Sequence, residues 1–372
     1  MNSTLEKNKS YCPAAFREIY VDSSGNYRLC CYHKTNSLFD FNDQKDLPFD
    51  YFMSQAMEKV RNDMFEGKKI KGCELCYDME QRTGHSYRTN RYFKDFGFVE
   101  DVRNLTLKLR INGSYCNLGC YMCFPQNSST RRNELKAVFG EEYKNMDNFG
   151  KEYEAVNHTQ WEKMIDNIVA NISLVAKIHM TGGEPLQLPK HWEFVDRIPQ
   201  EHAKHITLSY DTNFTETKYK NHSVYDIVDK FKKVHIGISC DHYGDKLEWI
   251  RYPIDVQKFE NNLRDCRDII AHLNCTVSLL NVNDLFEIQD YYQNNFGLNV
   301  TFHNVARGPR FLSICNLPDT QKVMLKEKYK DLPYVIDELN RPSWGLLQQG
   351  LDYCQQLSDH RGFDYKKLWP NL

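Results

Sequence analysis

The sequence predicts an α/β protein built on one parallel sheet. From residue 103 onward, alternating or β-branched runs take turns with amphipathic helical stretches, which is the pattern of strand–helix units. Six such units precede residue 318. The chemically loaded residues, above all Cys116-Asn-Leu-Gly-Cys120-Tyr-Met-Cys123, fall where those runs end, the edge at which such architectures collect their sites.

Taken in order, Phe16–Asp22 reads as a short strand, Ser23-Ser-Gly25-Asn as a hairpin turn, and Tyr27–Tyr32 as the returning strand. Residues 49 to 66 place Phe49, Tyr51, Phe52, Met57, Val60 and Met64 at helical spacing and read as packing. Leu105–Ile111 alternates and opens the strand–helix series. A polar stretch, 124 to 157, with Arg131 and Arg132, is long for a connection and reads as a lid, a substrate loop or a solvated insertion.

Thr159-Gln-Trp-Glu162 is a capping box before a helix with Trp161, Met164, Ile165, Ile168 and Val169 on one face. The next strand, Val175–Met180, runs into Thr181-Gly-Gly-Glu-Pro185. The third, Ile206–Tyr210, ends at Asp211-Thr212-Asn213, and a helix with Val224, Ile227, Val228 and Phe231 follows. The fourth, Val234–Ile238, ends at Ser239-Cys240-Asp241, and its helix puts Phe259, Leu263, Cys266 and Ile270 on one face. The fifth, Cys275–Leu280, leads to a helix near Asn283-Asp284; the sixth, Asn299–Val305, ends at Ala306-Arg307-Gly308-Pro309-Arg310. The last fifty residues read as helix, with Leu347, Leu351 and Cys354 on a shared face. Cys240, Cys266 and Cys354 read as core, with hydrogen donation as the other reading for Cys240.

Three thiols on one short loop can ligate three irons of a four-iron cluster and leave the fourth iron open. Structural zinc wants a fourth protein ligand close by, as a second C-x-x-C or a His pair, and neither follows Cys123 before residue 158. An open iron invites a chelating ligand, and S-adenosylmethionine offers an amine and a carboxylate.

The cysteine spacing, joined to Gly182-Gly183-Glu184-Pro185 at the end of the next strand, resembles the radical S-adenosylmethionine superfamily over about residues 103 to 318. That resemblance implies a partial (β/α)6 TIM-type barrel. It implies that Cys116, Cys120 and Cys123 hold a catalytic [4Fe-4S] cluster, and that Gly182, Gly183, Glu184 and Pro185 receive the methionine amine. Ser239 and Arg251 match the serine and arginine that contact ribose and methionine carboxylate, and Asn213 is a further ligand contact. A strand-end serine and a surface arginine are the plain structural readings of that pair. The residue before the third cysteine is commonly aromatic and packs on adenine; here it is Met122, whose thioether can meet a π-face, with Tyr121 as the compensating ring. The implied chemistry is reductive cleavage of S-adenosyl-L-methionine to a 5′-deoxyadenosyl radical that takes hydrogen from a substrate. Asp241, His303, Arg307 and Arg310 are expected at the barrel mouth. The two arginines suit an anionic substrate or a structural ion pair.

Cys12, the Gly25-x4-Cys30 pattern and Cys73-x-x-Cys76 resemble a Twitch domain, the short form of the SPASM module, which implies an auxiliary iron–sulfur cluster on four thiolates. In many relatives that module follows the barrel, whereas here it precedes it, and Cys31 is left spare. Four thiolates are equally a zinc set. Asp359-His-Arg-Gly362 and Leu368-Trp369-Pro370 resemble the tail of Twitch-bearing radical enzymes, including ones carried by large phages. The division that follows is 1–102 Twitch-like, 103–318 partial barrel and 319–372 helical extension.

A net charge of -2 gives no electrostatic footprint for nucleic acid. The start, Met1-Asn-Ser-Thr-Leu-Glu-Lys, lacks an apolar segment and no run reaches membrane-spanning length, so a cytoplasmic protein is expected. Thirteen cysteines in a reducing compartment favour metal ligation over disulfides. Related Twitch and SPASM enzymes often modify a peptide or protein side chain, and that is the leading expectation here. The alternatives are a small-molecule or nucleotide-derived substrate, and a non-catalytic iron–sulfur or zinc redox or interaction protein. A radical enzyme further implies an electron donor such as flavodoxin or ferredoxin.

Overall fold

A computed structural model describes residues 10–22, 25–34, 47–89, 93–97, 99, 101–110, 115–147, 149 and 158–370. Ten strands are formed among them: β1 Glu18–Val21, β2 Tyr27–Arg28, β3 Leu105–Leu109, β4 Val175–Met180, β5 Thr207–Thr212, β6 Lys218–Tyr219, β7 His222–Ser223, β8 Lys233–Ser239, β9 Ile270–Val277 and β10 Val300–Val305. Eight share one sheet in the order β10-β9-β8-β5-β4-β3-β1-β2, while β6 and β7 form a separate ribbon. The six expected strands are all parallel to their neighbours. The fold is the mixed α/β, partial TIM-type arrangement, ending in helices at Asp319–Lys328, Pro333–Leu339, Leu347–Arg361 and Tyr365–Leu368.

The first hundred residues extend this sheet. β1 lies parallel to β3, pairing Glu18 with Thr106 and Val21 with Leu109, and β2 returns antiparallel at the edge. Residues Ala14–Arg17 are helical, so the strand is shorter than Phe16–Asp22, and its partner stops at Arg28 rather than Tyr32. Ser23 and Ser24 of the expected turn lie outside the described residues.

Period-two alternation gives the sheet two unlike faces. Leu105, Leu107, Leu109, Ile178, Leu208, Ile236, Ile238 and Leu273 are buried in one core with Trp161, Ile165, Ile168 and Ile227 of the covering helices. The opposite face is polar from strand to strand. Lys108 stands opposite His179, His179 opposite Ser209, and Ser209 opposite His235. Nearer the strand ends Asp211 pairs with Gly237 and Ser239 with Asn274. A TIM barrel interior is normally packed with branched apolar residues; this one is lined by hydrogen-bonding groups.

A side-chain seam joins the two ends of the sheet. Tyr32, just beyond β2, stacks on Tyr87 with ring centroids 3.6 Å apart, and Tyr87 stacks on Tyr334 at 5.6 Å. Tyr334 lies on Pro333–Leu339, which packs against β10, and Arg82 Nη2 adds an ion pair to Asp337 at 3.5 Å.

Three expectations are corrected. Much of 124 to 157 is regular, with a helix over Ser129–Phe139 capped by the Ser128 hydroxyl; residues 148 and 150–157 lie outside the described residues. The helix after β8 stops at Asp265, and Ile270 begins β9. The helix containing Trp161 opens at His158, so Thr159 lies within its first turn and does not cap it. No helix among the described residues is long and apolar enough to cross a membrane.

Candidate functional site

The cysteine loop follows β3, at the C-terminal edge of the sheet, and its backbone is tied down along its length. Thr130 Oγ1 donates to the Cys116 carbonyl at 2.7 Å, Ser128 Oγ to the Leu118 carbonyl at 2.6 Å, and Cys123 N to the Cys120 carbonyl at 2.8 Å. Gly119 N and Tyr121 N donate to the Tyr252 and Ile250 carbonyls. Cys120 is buried while Cys116 and Cys123 are half-buried.

Two of the three sulfurs accept hydrogen bonds from neighbouring elements. Asn213 Nδ2, at the end of β5, lies 3.7 Å from Cys116 Sγ, and Arg251 Nη1 lies 3.7 Å from Cys120 Sγ. Burial raises all three thiols, Cys123 to about 11, with neighbouring cysteines adding to the shift at Cys116 and Cys123 and Arg251 opposing it at Cys120. Such thiols become ligands by giving their protons to solvent as metal binds, and N–H donors on sulfur stabilise the resulting thiolate and tune a cluster. Among the described residues no group of three or more His, Cys, Asp or Glu side chains converges so as to hold one metal ion. A four-iron cluster takes each thiolate on a different iron, so it does not require convergence on one point.

Gly182 and Gly183 both adopt left-handed backbone, with φ of 85° and 57°, a region that favours glycine. A Cβ at Gly182 would meet Arg110 Nε at 3.1 Å. Glu184 is buried and engaged: Oε1 accepts from Leu186 N at 3.1 Å and Thr212 Oγ1 at 2.6 Å, and Oε2 accepts from Asn213 N at 2.7 Å. Burial pushes its carboxyl up to about 7 against these three donors. Glu184 thus fastens the end of β5 to the glycine turn, and Oε2, which accepts one hydrogen bond, keeps a lone pair for a further donor. Pro185 is buried beside it.

Arg251 caps the helix Gly244–Ile250 and is buried. Its Nη2 pairs with Asp241 Oδ2 at 2.7 Å, and Asp241 Oδ1 accepts from Thr276 N at 2.7 Å. Burial works against the guanidinium charge, and Asp241 together with Cys120 and Cys240 more than restores it. The Nε atoms of Arg251 and Arg110 are both buried without a hydrogen-bond partner, and unpaired buried donors are costly unless a ligand or water meets them. Ser239 ends β8, half-buried. Met122 packs partly against both apolar clusters.

The expected mouth residues are not gathered as a free set. Asp241 is fully buried under Arg251. Arg307 binds Glu338 and Asp337 at 2.6 and 2.8 Å, and Arg310 binds Asp147 at 2.9 Å. His303 is exposed and meets the Tyr334 ring edge-on. Tyr121 is also corrected, because its ring is fully buried against Trp249 and its hydroxyl reaches Ser278 at 2.5 Å. It cannot stand in for an adenine-packing aromatic. Cys240, Cys266 and Cys354 are core, as expected.

A second group of thiols lies in the N-terminal part. Cys12, Cys30, Cys73 and Cys76 line one cavity together with Tyr32, His33, Tyr77 and Arg88. Cys31 is half-buried and is not among the lining residues. Burial raises these thiols, and Arg88 opposes the shift at Cys12, Cys73 and Cys76. Arg88 itself is held by Glu80 and by the Tyr11 carbonyl at 2.7 Å.

Residues 113–288 match the family model described as Radical SAM superfamily. The cysteine loop, the Gly-Gly turn and the ends of β5 and β8 all fall inside the matched segment. No curated protein matches the chain. Among solved structures it is similar to native anSMEcpe with bound AdoMet, at 19% identity and a TM-score of 0.43, covering 64% of this chain and 63% of that one. It is also similar to Streptococcus suis SuiB bound to precursor peptide SuiA, at 13% identity and a TM-score of 0.41, covering 80% and 54%. A third is TYW1 with a lysine-pyruvate adduct, at 13% identity and a TM-score of 0.40, covering 75% and 90%. The chain thus spans less than two thirds of the length of the first two.

Proposed function

We propose that the protein is a radical SAM enzyme whose Cys116, Cys120 and Cys123 hold a [4Fe-4S] cluster with one iron open to S-adenosyl-L-methionine. The observation that carries this reading is the loop itself: three thiols at the strand ends, two accepting N–H···S bonds from Asn213 and Arg251, inside a segment that matches the superfamily model. Held there by Cys116, Cys120 and Cys123, the cluster would supply the single electron needed for reductive cleavage of S-adenosyl-L-methionine and so for hydrogen abstraction from substrate. The protein's part is positioning and exclusion of water. The Gly182-Gly183 turn brings backbone close to the methionine moiety, Ser239 meets ribose, and the unpartnered Nε of Arg251 is available to the carboxylate. Met122 packs near adenine.

The substrate in this reading is a peptide or protein side chain, as the Twitch and SPASM resemblance implies. A second reading, a polar small molecule or nucleotide-derived substrate, is favoured by the polar inner face and by the seam that joins the sheet ends. The cavity of Cys12, Cys30, Cys73 and Cys76 holds an auxiliary iron–sulfur cluster, with zinc as the competing occupant. We divide the chain into this N-terminal module to residue 102, the barrel to 318 and the helical extension beyond. The protein works in the cytoplasm with an electron donor such as flavodoxin or ferredoxin.

The test is anaerobic purification, iron and sulfide analysis, and reduction in the presence of S-adenosylmethionine. Release of 5′-deoxyadenosine is expected, and deuterium transfer from labelled peptides or small molecules into it separates the two substrate readings. Stoichiometric zinc with almost no iron and no 5′-deoxyadenosine would instead mark a non-catalytic metal protein.

A further inference from the structure

The C-terminal helix reaches back into the cysteine loop. Arg361, at the end of Leu347–Arg361, is buried, and its Nη2 donates to the Gly119 carbonyl at 2.7 Å. Nη1 donates to the Trp249 carbonyl, while Nε and Nη2 bind the two oxygens of Glu134 at 2.6 and 2.9 Å. Glu134 also pairs with Arg131, whose Nη2 donates to the Tyr121 carbonyl at 3.0 Å. Tyr353, on the same C-terminal helix, donates to that carbonyl at 3.1 Å. A Cβ at Gly119 would lie 3.2 Å from Glu134 Oε2, a tight approach that Glu134 would have to accommodate.

Two guanidinium groups share one carboxylate here, all three with side chains at most 5% exposed. An arrangement with one uncompensated buried charge is costly, and burial, with Arg361 adding to it, takes Arg131 down to about 10. A structural clamp could be built more cheaply from neutral groups. The two arginines bind the loop backbone on either side of Cys120, Arg361 at the Gly119 carbonyl and Arg131 at the Tyr121 carbonyl, so their excess positive charge lies beside a residue that would carry the cluster's negative charge. A cluster on three thiolates becomes more negative by one unit when reduced.

We propose that Arg361 is a positioning residue for the cysteine loop: with Arg131 and Glu134 it fixes the backbone between Cys116 and Cys123 and favours the reduced state of the cluster bound there. This rests on the radical SAM reading above and extends it, because it makes the C-terminal extension part of the cofactor site.

The experiment uses the full chain, reconstituted anaerobically, as wild type, Arg361→Lys and Arg361→Gln. Two readouts are taken: the ratio of reduced to oxidised cluster at fixed potential by electron paramagnetic resonance, and the rate of iron loss to a chelator. Arg361→Gln is expected to show about a tenfold lower ratio, equivalent to roughly 59 mV for a one-electron couple, and several-fold faster iron loss. Arg361→Lys keeps the charge but not the fork, so it should recover the ratio and still lose iron faster. A folded Arg361→Gln protein that matches wild type in both readouts overturns the proposal. Should that variant not fold, Tyr353→Phe, which deletes one bond to the Tyr121 carbonyl, decides the positioning half: faster iron loss supports it and unchanged loss overturns it. Wild type that takes up no cluster removes the underlying reading together with this proposal, whereas a normal wild-type cluster with unaltered variants removes this proposal alone.

Discussion

Arg251 divides its two amino groups between a sulfur and a carboxylate: Nη1 lies 3.7 Å from Cys120 Sγ and Nη2 lies 2.7 Å from Asp241 Oδ2. All three partners are buried. Removing the carboxylate leaves a guanidinium in low dielectric with only a weak sulfur acceptor, and breaking a buried pair in this way costs about 3–5 kcal/mol. Asp241→Asn is therefore expected to lower the stability of the metal-free protein by about 3 kcal/mol or more, read from urea unfolding. A loss under about 1 kcal/mol would show that the pair is not what holds Arg251 in place.

At Gly182 the backbone conformation, with φ of 85°, and the neighbouring Arg110 act together. Alanine there meets a strained dihedral, costing about 1–2 kcal/mol, and pushes against the Arg110 side chain at 3.1 Å. Gly182→Ala is expected to fold and to bind S-adenosylmethionine at least about tenfold more weakly, which is about 1.4 kcal/mol, measured by equilibrium dialysis. Wild-type affinity in that variant would mean that the turn does not approach the cofactor.

The strands were legible because their alternation is local. Val175–Met180 was read to the residue, since an apolar run ends there in an unmistakable Gly-Gly-Glu-Pro. The start of β9 was missed because its inward positions, His272 and Asn274, are polar, while Phe259, Leu263, Cys266 and Ile270 mimic a helical period across the helix end. The helix over Ser129–Phe139 escaped for a related reason: part of its buried face is Arg131 and Glu134, so it carries no apolar stripe. Nothing local to residue 361 points to residue 119. Arg307 and Arg310 do form the structural ion pairs that were one of their two readings, but the partners are not legible because their carboxylates lie about 30 and 163 residues away in the chain.

His191 offers a clean test of pH-dependent stability. It is fully buried, its Nε2 meets the Tyr210 hydroxyl at 2.8 Å, and burial takes it down to about 3. The unfolded chain holds the extra proton between that value and the ordinary 6.5, so the contribution is present above pH 6.5 and is lost as pH falls toward 3. At about 1.4 kcal/mol per pKa unit the full effect is on the order of 5 kcal/mol. His191→Gln should flatten the acid side of a stability-against-pH curve by up to about one proton. An equally steep curve in the variant would assign the acid sensitivity to other groups.

The four thiols around the N-terminal cavity give the last prediction, and it separates iron from zinc. Cys12 and Cys30 flank β1 and β2, while Cys73 and Cys76 begin the helix Glu74–Thr83, so one occupant would staple the sheet edge to that helix. Cys76→Ala is expected to lower iron from about eight to about four atoms per chain, a four-iron cluster having four thiolate ligands, and to leave the signal of the cluster on Cys116, Cys120 and Cys123 intact. The variant should also be less stable near the Tyr32–Tyr87 stack, seen as faster amide exchange in residues 73 to 89, because the metal links that segment to the hairpin. If the wild type holds about four irons and one zinc, and the substitution removes the zinc, the cavity is a structural zinc site and cannot relay electrons, since zinc has no redox chemistry.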